Sequence, residues 1–300
     1  MLTKLKGLFG PAGRVDLERR FSISCETPQG SMSKVYRAID KESGRTICLK
    51  IQLPDKQSAA ELRAQKLNRP TEGAIASQII HPNVVRTLEH GVSTQGAKYL
   101  VMEYVEGVSL KFVREATQAG IRAKVKLLAE AAKGLAAVHA AGFIHHDVNP
   151  NNFLVMRDNT VKLIDFGLAV PNTPAFHRPG NRTGMLQYMA PELIRREETD
   201  ERIDIFGFGV LAFELLTDKM PYGGGGSSLA QMTQKINAEP TDPALANPRL
   251  SDDLCDILRK TLTRRKQARW PKMSTLAEAL RQVKPKRDEA NGPEDRTDEA

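Results

Sequence analysis

The sequence predicts an α+β protein in which strands come first and helices follow. Residues 20–53 read as short β segments broken by turn residues, and from residue 109 onward apolar residues recur at helical spacing. A third observation marks the centre of the chain. The stretch HHDVNPNNFLVMRDNTVKLIDFG, residues 145–167, sets Asp147 and Asn152 in one polar loop and then runs through a short apolar segment, 161–164, that ends at Asp165. Two carboxylates and a carboxamide gathered in this way can orient a hydroxyl and hold a divalent metal. Three hundred residues suffice for one large domain or two lobes with a substantial core. Aromatic residues make up only 5%, so Leu, Ile, Val, Ala and Met must fill most of that core.

Taken in order, the elements begin with MLTKLKGLFG, which is short, basic and without the long apolar centre of a signal peptide. It reads as a frayed extension over 1–19. Segments 20–25, 34–40 and 46–53 are strand candidates, the last two separated by the turn residues KESG. A helix is expected over 71–80, entered after Arg69-Pro70 and carrying Glu72. A second helical stretch, 58–67, carries Glu61. YLVME at 99–103 is a strand. Helices are expected over 109–118 and 122–141, the latter with Val125, Leu128, Ala132, Leu135 and Val138 on one face and Gly142 as its stop. Residues 179–192 read as a loop ending in Ala190-Pro191-Glu192. Helical patterns return at 201–217, 227–237, 251–262 and 273–283, with a flexible GGGG at 223–226.

Composition narrows the function. Cys25, Cys48 and Cys255 are too widely spaced for a CxxC metal pair or a disulfide scaffold, and they read as free thiols in a reducing compartment. No apolar run approaches the roughly 20 residues of a membrane-spanning helix, so a cytoplasmic location is expected. The formal charge is +8, and residues 259–287 hold eleven Lys and Arg against Glu278 alone. Aromatic interleaving is almost absent and no nucleic-acid module accompanies this run, so nucleic acid is not expected as a partner. A solvated helical face is the plainer reading. The acidic, polar tail 285–300 reads as disordered.

The order Lys50, Glu72, HPN at 81–83, HxD at 145–147, Asn152, DFG at 165–167, APE at 190–192, Asp204 and Arg269 resembles that of eukaryotic-type (Hanks-type) Ser/Thr protein kinases over about residues 20–283. The resemblance implies a bilobal fold, with a β-rich N-lobe at 20–104 and a helical C-lobe at 105–284. It implies transfer of the γ-phosphoryl group of ATP, with Mg²⁺ or Mn²⁺, to protein hydroxyls. Asp147 would then orient the acceptor hydroxyl and take its proton. Lys50 would position the α and β phosphates, held by Glu72, and Asn152 and Asp165 would ligate metal. Gly30 would lie in the phosphate-covering loop. Met102 would back the adenine pocket, the backbone near Glu103 and Val105 would bind the base, and Val35, Cys48 and Leu154 would sandwich it. Asp204 would receive backbone hydrogen bonds from the catalytic loop, and Arg269 would pair with Glu192.

The departures from the family pattern are equally specific. Pro28 and Ser33 replace two of the three loop glycines, which stiffens the loop and removes an N–H donor. Asn149 stands where Ser/Thr members carry Lys. An uncharged donor there forfeits a transition-state contact of about 2–4 kcal/mol, which Arg178 or Arg182 could restore. Met185 replaces the threonine that bridges the catalytic aspartate and that lysine. His146 replaces an arginine that grips a phosphorylated loop, so activity should not depend strongly on phosphorylation at Thr173 or Thr183. Ala76, Thr87, His145 and Phe166 would form the apolar stack between the lobes, and the first two are small. A regulatory protein partner or a homodimer contact would compensate for the missing volume. The alternative to a kinase is a pseudokinase that binds nucleotide or a protein partner and acts by shape.

Overall fold

The computed structural model describes residues 14–27, 33–52, 69–178, 184–223, 227–284 and 286. The expectations for Gly30, Pro28, Glu61, Arg182 and Thr183, for most of the 1–19 extension and for nearly all of the tail lie outside the described residues.

The N-terminal region is built on an antiparallel five-stranded sheet of order β1-β2-β3-β5-β4. Its strands are β1 (Phe21–Thr27), β2 (Ser33–Asp40), β3 (Thr46–Gln52), β4 (Thr87–Val92) and β5 (Lys98–Glu103). Alternation places Ala38, Ile47, Leu49, Tyr99 and Val101 in one small core with Phe21. Helix α1 (Glu72–Ala76) crosses beside the sheet, started by Thr71, whose Oγ1 accepts the Ala74 N–H at 3.2 Å. It is shorter than the 71–80 expected. Gln78 and Ile79 donate to carbonyls three residues back, so the chain tightens into turns before His81-Pro82.

The C-terminal region is mostly helical: α2 (Leu110–Ala116), α3 (Ile121–Ala140), α4 (Pro191–Arg195), α5 (Arg202–Thr217), α6 (Ser228–Asn237), α7 (Asp252–Thr261) and α8 (Met273–Gln282). Strands β6 (Gly107–Ser109), β8 (Phe153–Met156) and β9 (Val161–Leu163) form a second sheet. Strands β7 (Phe143–Ile144) and β10 (Val170–Pro171) form a third. Helix α5 is the hub, because every residue from Ile203 to Thr217 is buried, as its all-round apolar sequence requires. The long α3 ends at Gly142, whose φ of +83° supplies the left-handed stop. The expected loop at 179–192 is more structured than its sequence implied. Residues 186–188 form a 3₁₀ turn, and Pro191 takes the first position of α4, so Pro191 and Glu192 open a helix rather than close a loop.

The two regions are tied together at His81-Pro82-Asn83. The Asn83 carbonyl accepts the Leu163 N–H at 2.8 Å, and the Leu163 carbonyl accepts Val85 N–H at 2.9 Å. Asn83 Nδ2 donates to Glu130 of α3 and to the Val161 carbonyl. Gly134 of α3 admits this approach, since a Cβ there would lie 2.5 Å from the Asn83 oxygen.

Much of the basic run at 259–286 is neutralised locally. Arg259 pairs with Asp242 and Asp256, Arg264 with Glu239, Lys266 with Asp200 and Arg281 with Glu278. The three cysteines are free. Among the described residues no helix is long and apolar enough to cross a membrane.

Candidate active site

Lys50, at the middle of β3, is the meeting point of the site. Its Nζ donates to Glu72 Oε1 at 2.7 Å and to Asp165 Oδ1 at 2.9 Å. Burial alone would depress the ammonium, but the two carboxylates outweigh it and hold its pKa above the ordinary value. Burial would likewise raise Asp165. Lys50 and the Gly167 N–H, at 2.9 Å, reverse that and keep the carboxyl below its usual range. Gln52 Nε2 reaches the other Glu72 oxygen at 3.3 Å.

The loop 145–152 is held from below by Asp204 near the start of α5. Its carboxylate accepts the His145 N–H at 2.7 Å and the His146 N–H at 2.9 Å, and contacts His139 Nε2 at 2.8 Å. These partners offset burial and keep Asp204 ionised, its pKa lowered. Both His146 and Asp165 have φ of +66°, a left-handed conformation that costs energy in a non-glycine residue. Burial pushes His146 down to about 4, against the pull of Asp204 and with the Arg69 charge adding to the depression. The ring is therefore neutral near pH 7.

Asp147 is oriented by Asn152, whose Nδ2 donates to the Asp147 carbonyl at 2.8 Å and to Oδ2 at 2.9 Å. That commits the Asn152 nitrogen and leaves its Oδ1 as the atom available to a cation. Asp165 Oδ1 is engaged by Lys50 and the Gly167 N–H, which leaves Oδ2 as its oxygen for a cation among the described residues. One carboxylate and one carboxamide oxygen suit Mg²⁺, which takes few protein ligands and completes its shell with phosphate and water. Among the described residues there is no cluster of three or more acidic, His or Cys side chains of the sort that would cage a metal alone. Asn149 is buried, and it turns inward. Its Nδ2 donates to the Asp147 carbonyl at 3.2 Å and its Oδ1 accepts the Asn151 N–H at 3.0 Å. Met185 is half-exposed beside the 145–152 loop, and a cavity is lined by His146, Asp147, Met185 and Tyr188.

Cys48 is half-buried and pairs with Met102 across β3 and β5. Val35 pairs with Lys50 across β2 and β3. Burial raises the Cys48 thiol to about 11, so it stays protonated. Leu154 is half-buried on β8, opposite Ser109. The Glu103 carboxylate is taken by Lys162 at 2.7 Å and by the Arg86 N–H at 2.9 Å, next to the connection that contains Val105. Ala76, Thr87, His145 and Phe166 are all buried, with the His145 and Phe166 rings edge-on at 5.4 Å.

Glu192 and Arg269 form a buried bidentate pair at 2.6 and 2.8 Å, which anchors the start of α4. Next to it, Lys235 of α6 is almost fully buried. Its ammonium donates to the carbonyls of Leu186 at 2.8 Å, of Gln187, and of Met189 at 3.2 Å. Arg69 donates from Nη2 to the Gly167 carbonyl at 2.6 Å and from Nε to the Ala169 carbonyl at 2.8 Å. Sequence reasoning singled out neither residue. A signal existed for Lys235, which shares a helical face with Met232 and Ile236. For Arg69 there was none. A cavity of about 280 Å³ opens between α2, the 185–188 segment and α6, with Arg114, Met185, Tyr188 and Lys235 on its walls.

The description "Protein kinase domain" fits residues 26–281 of the chain. The chain belongs to this family. It is 34% identical over 209 residues to the Bifidobacterium longum protein named "Probable serine/threonine-protein kinase pknA2", covering 69% of this chain and 27% of that one. It is 28% identical over 283 residues to the serine/threonine-protein kinase PknA of Mycobacterium tuberculosis, covering 91% of this chain and 63% of that one. To PknB of Mycobacterium leprae it is 28% identical over 262 residues, covering 85% and 41%. The chain thus spans less than two thirds of the length of each of these relatives.

Proposed function

We propose that the protein transfers the γ-phosphoryl group of ATP to Ser/Thr hydroxyls of a protein substrate. The observation that carries this reading is Lys50 Nζ lying within hydrogen-bond distance of Glu72 and Asp165 at once. A buried lysine between two carboxylates, beside an aspartate aimed by an asparagine, is a costly arrangement for stability alone. It is ready for phosphates that draw the ammonium toward them.

In this reading the lobes divide near residues 104 and 105. The adenine enters between Val35 and Cys48 above and Leu154 below, with Met102 behind it and the backbone near Glu103 and Val105 along its edge. Gly30 belongs to the loop over the phosphates. Lys50 contacts the α and β phosphates and Glu72 keeps it extended. Asp147 orients the acceptor hydroxyl and accepts its proton. Asn152 and Asp165 would hold Mg²⁺, or Mn²⁺, which supplies positive charge against the phosphate oxygens when bound. The rate then rests on positioning and electrostatics. Asn149 contributes through the loop that carries Asp147. The anchored segment 184–195, with its cavity and the Glu192–Arg269 pair, favours a protein substrate over a small molecule.

A second reading, a nucleotide-binding pseudokinase, is favoured by one observation: Asn149 is turned into its own loop where the family places a lysine. Transfer from labelled ATP with Mg²⁺ or Mn²⁺, to itself and to a generic basic protein, separates the two. Signal that disappears in both Asp147→Asn and Lys50→Met is expected. No transfer, with nucleotide still raising the melting temperature, would replace the kinase reading with the second one.

A further inference from the structure

The segment 165–169 is gripped at three places by the N-terminal region. Lys50 holds the Asp165 carboxylate, and Glu72 Oε1 accepts the Phe166 N–H at 3.4 Å. The third grip is Arg69, two residues before the Thr71 cap of α1. Its Nε and Nη2 form one edge of the guanidinium and reach the carbonyls of Ala169 and Gly167, which flank residue 168. A planar fork suits two carbonyls at once, whereas a lysine offers a point charge. Two of the three grips come from α1 and its lead-in, so the helix cannot swing away without releasing the Asp165 loop. The neighbouring position that the family pattern gives to an arginine is His146, which is buried and neutral near pH 7. The cationic side chain seen to hold this loop by its backbone is Arg69, and its partners are carbonyl oxygens.

We propose that Arg69 is a positioning residue that clamps the metal-ligating loop through Gly167 and Ala169, so that Asp165 is aimed without a phosphate on the segment that follows. This rests on the proposed role of Asp165. It makes α1 and the loop a single unit held by backbone contacts, a device independent of activation-segment modification.

The test compares phosphatase-treated full-length wild type, Arg69→Met and Arg69→Lys. Arg69 is half-buried, so these variants are expected to fold. One measurement is the affinity for ATP with and without Mg²⁺. Another is amide hydrogen exchange across 71–77 and 165–170. Losing two charge-assisted bonds in Arg69→Met should cut the Mg²⁺-dependent gain in ATP affinity by about tenfold. Metal-free affinity should change less than about twofold, and exchange should rise in both segments together. Arg69→Lys should restore part of the gain. An unchanged Mg²⁺ gain and unchanged exchange in Arg69→Met would overturn the proposal. So would loss of the gain in wild type on phosphatase treatment alone. If wild type transfers no phosphate to any substrate, the kinase reading falls while binding and exchange still decide the role of Arg69.

Discussion

Asn149 donates its side-chain amide to the carbonyl of Asp147 and accepts the Asn151 N–H, so it shapes the loop that presents the aspartate. This is an Asx-type turn that also caps the 3₁₀ turn at Pro150–Asn152. The position therefore has two separable properties, a shape and an absence of charge. Asn149→Asp keeps the acceptor for the Asn151 N–H but turns a carboxylate oxygen toward the Asp147 carbonyl and adds a buried negative charge beside Asp147. It should lower the melting temperature, and phosphoryl transfer should fall by about tenfold or more. Asn149→Ala should lose less stability, about 1 kcal/mol as the cap goes, with a smaller loss of transfer. Denaturant unfolding alongside a transfer assay checks both. Unchanged stability in Asn149→Ala would mean that the turn does not depend on this side chain.

The Lys50 triangle predicts coupling between residues far apart in sequence. Lys50→Met leaves the buried Glu72 and the partly exposed Asp165 without their shared cation. Breaking a buried pair by removing one partner costs about 3–5 kcal/mol. Adding Glu72→Gln to Lys50→Met should recover part of that loss, because the second change removes the stranded charge. Transfer should stay abolished in both. A double-mutant cycle on unfolding free energy measures the coupling, and strictly additive losses would contradict the triangle.

Gly184 predicts a site-specific defect. Its φ is +84°, and a Cβ there would lie 2.6 Å from the His146 carbonyl and 3.4 Å from Asp147 Oδ1. The left-handed conformation costs a non-glycine residue about 1–2 kcal/mol. The clash must also move either this segment or the loop bearing Asp147. Gly184→Ala should lower stability modestly and transfer severely, with ATP affinity nearly intact. Gly96→Ala is a fitting control, since its φ is +83° with nothing within 4 Å, in the turn between β4 and β5. It should share the strain and keep the activity. Equal activity loss in both variants would remove the special place of Gly184.

These positions differ in how far they could be read from the sequence. Lys50, Glu72, Asp165, Asp204 and the Glu192–Arg269 pair were legible, because their partners are side chains or loops whose order along the chain is itself distinctive. The helix expected over 71–80 is longer than the Glu72–Ala76 that forms. Nothing local in ASQII says that its hydrogen bonds tighten to three-residue spacing. In the sequence Asn149 is only a missing charge. Its inward turn depends on a backbone carbonyl two residues away, and carbonyls have no identity in a sequence. The same blindness hid Arg69, whose partners are the Gly167 and Ala169 oxygens. The basic run at 259–287 reads as a solvated helical face. Asp256 and Glu278 pair with it three residues away along their own helices, whereas Asp200, Glu239 and Asp242 are partners that only the folded chain brings close.

Lys235 gives the pH dependence. Burial pushes its ammonium down to about 7, well below the ordinary lysine value of about 10.4. Between those values the unfolded chain binds the proton and the folded chain does not. Stability from this group therefore rises with pH, by on the order of 1 kcal/mol per unit. Below about 7 both states are protonated, and the full cost of burying the charge is carried by the fold. The neutral amine still donates to two of the three carbonyls, so the 186–189 segment survives the proton loss. Lys235→Met removes the titration and takes the lysine donor from those carbonyls, of which that of Leu186 keeps the Met189 N–H. Unfolding free energies for both proteins at pH 6, 7.5 and 9 should show wild type gaining on the variant as pH increases. A constant difference across that range would mean that Lys235 keeps its proton in the fold, with the carbonyls of Leu186, Gln187 and Met189 holding it there.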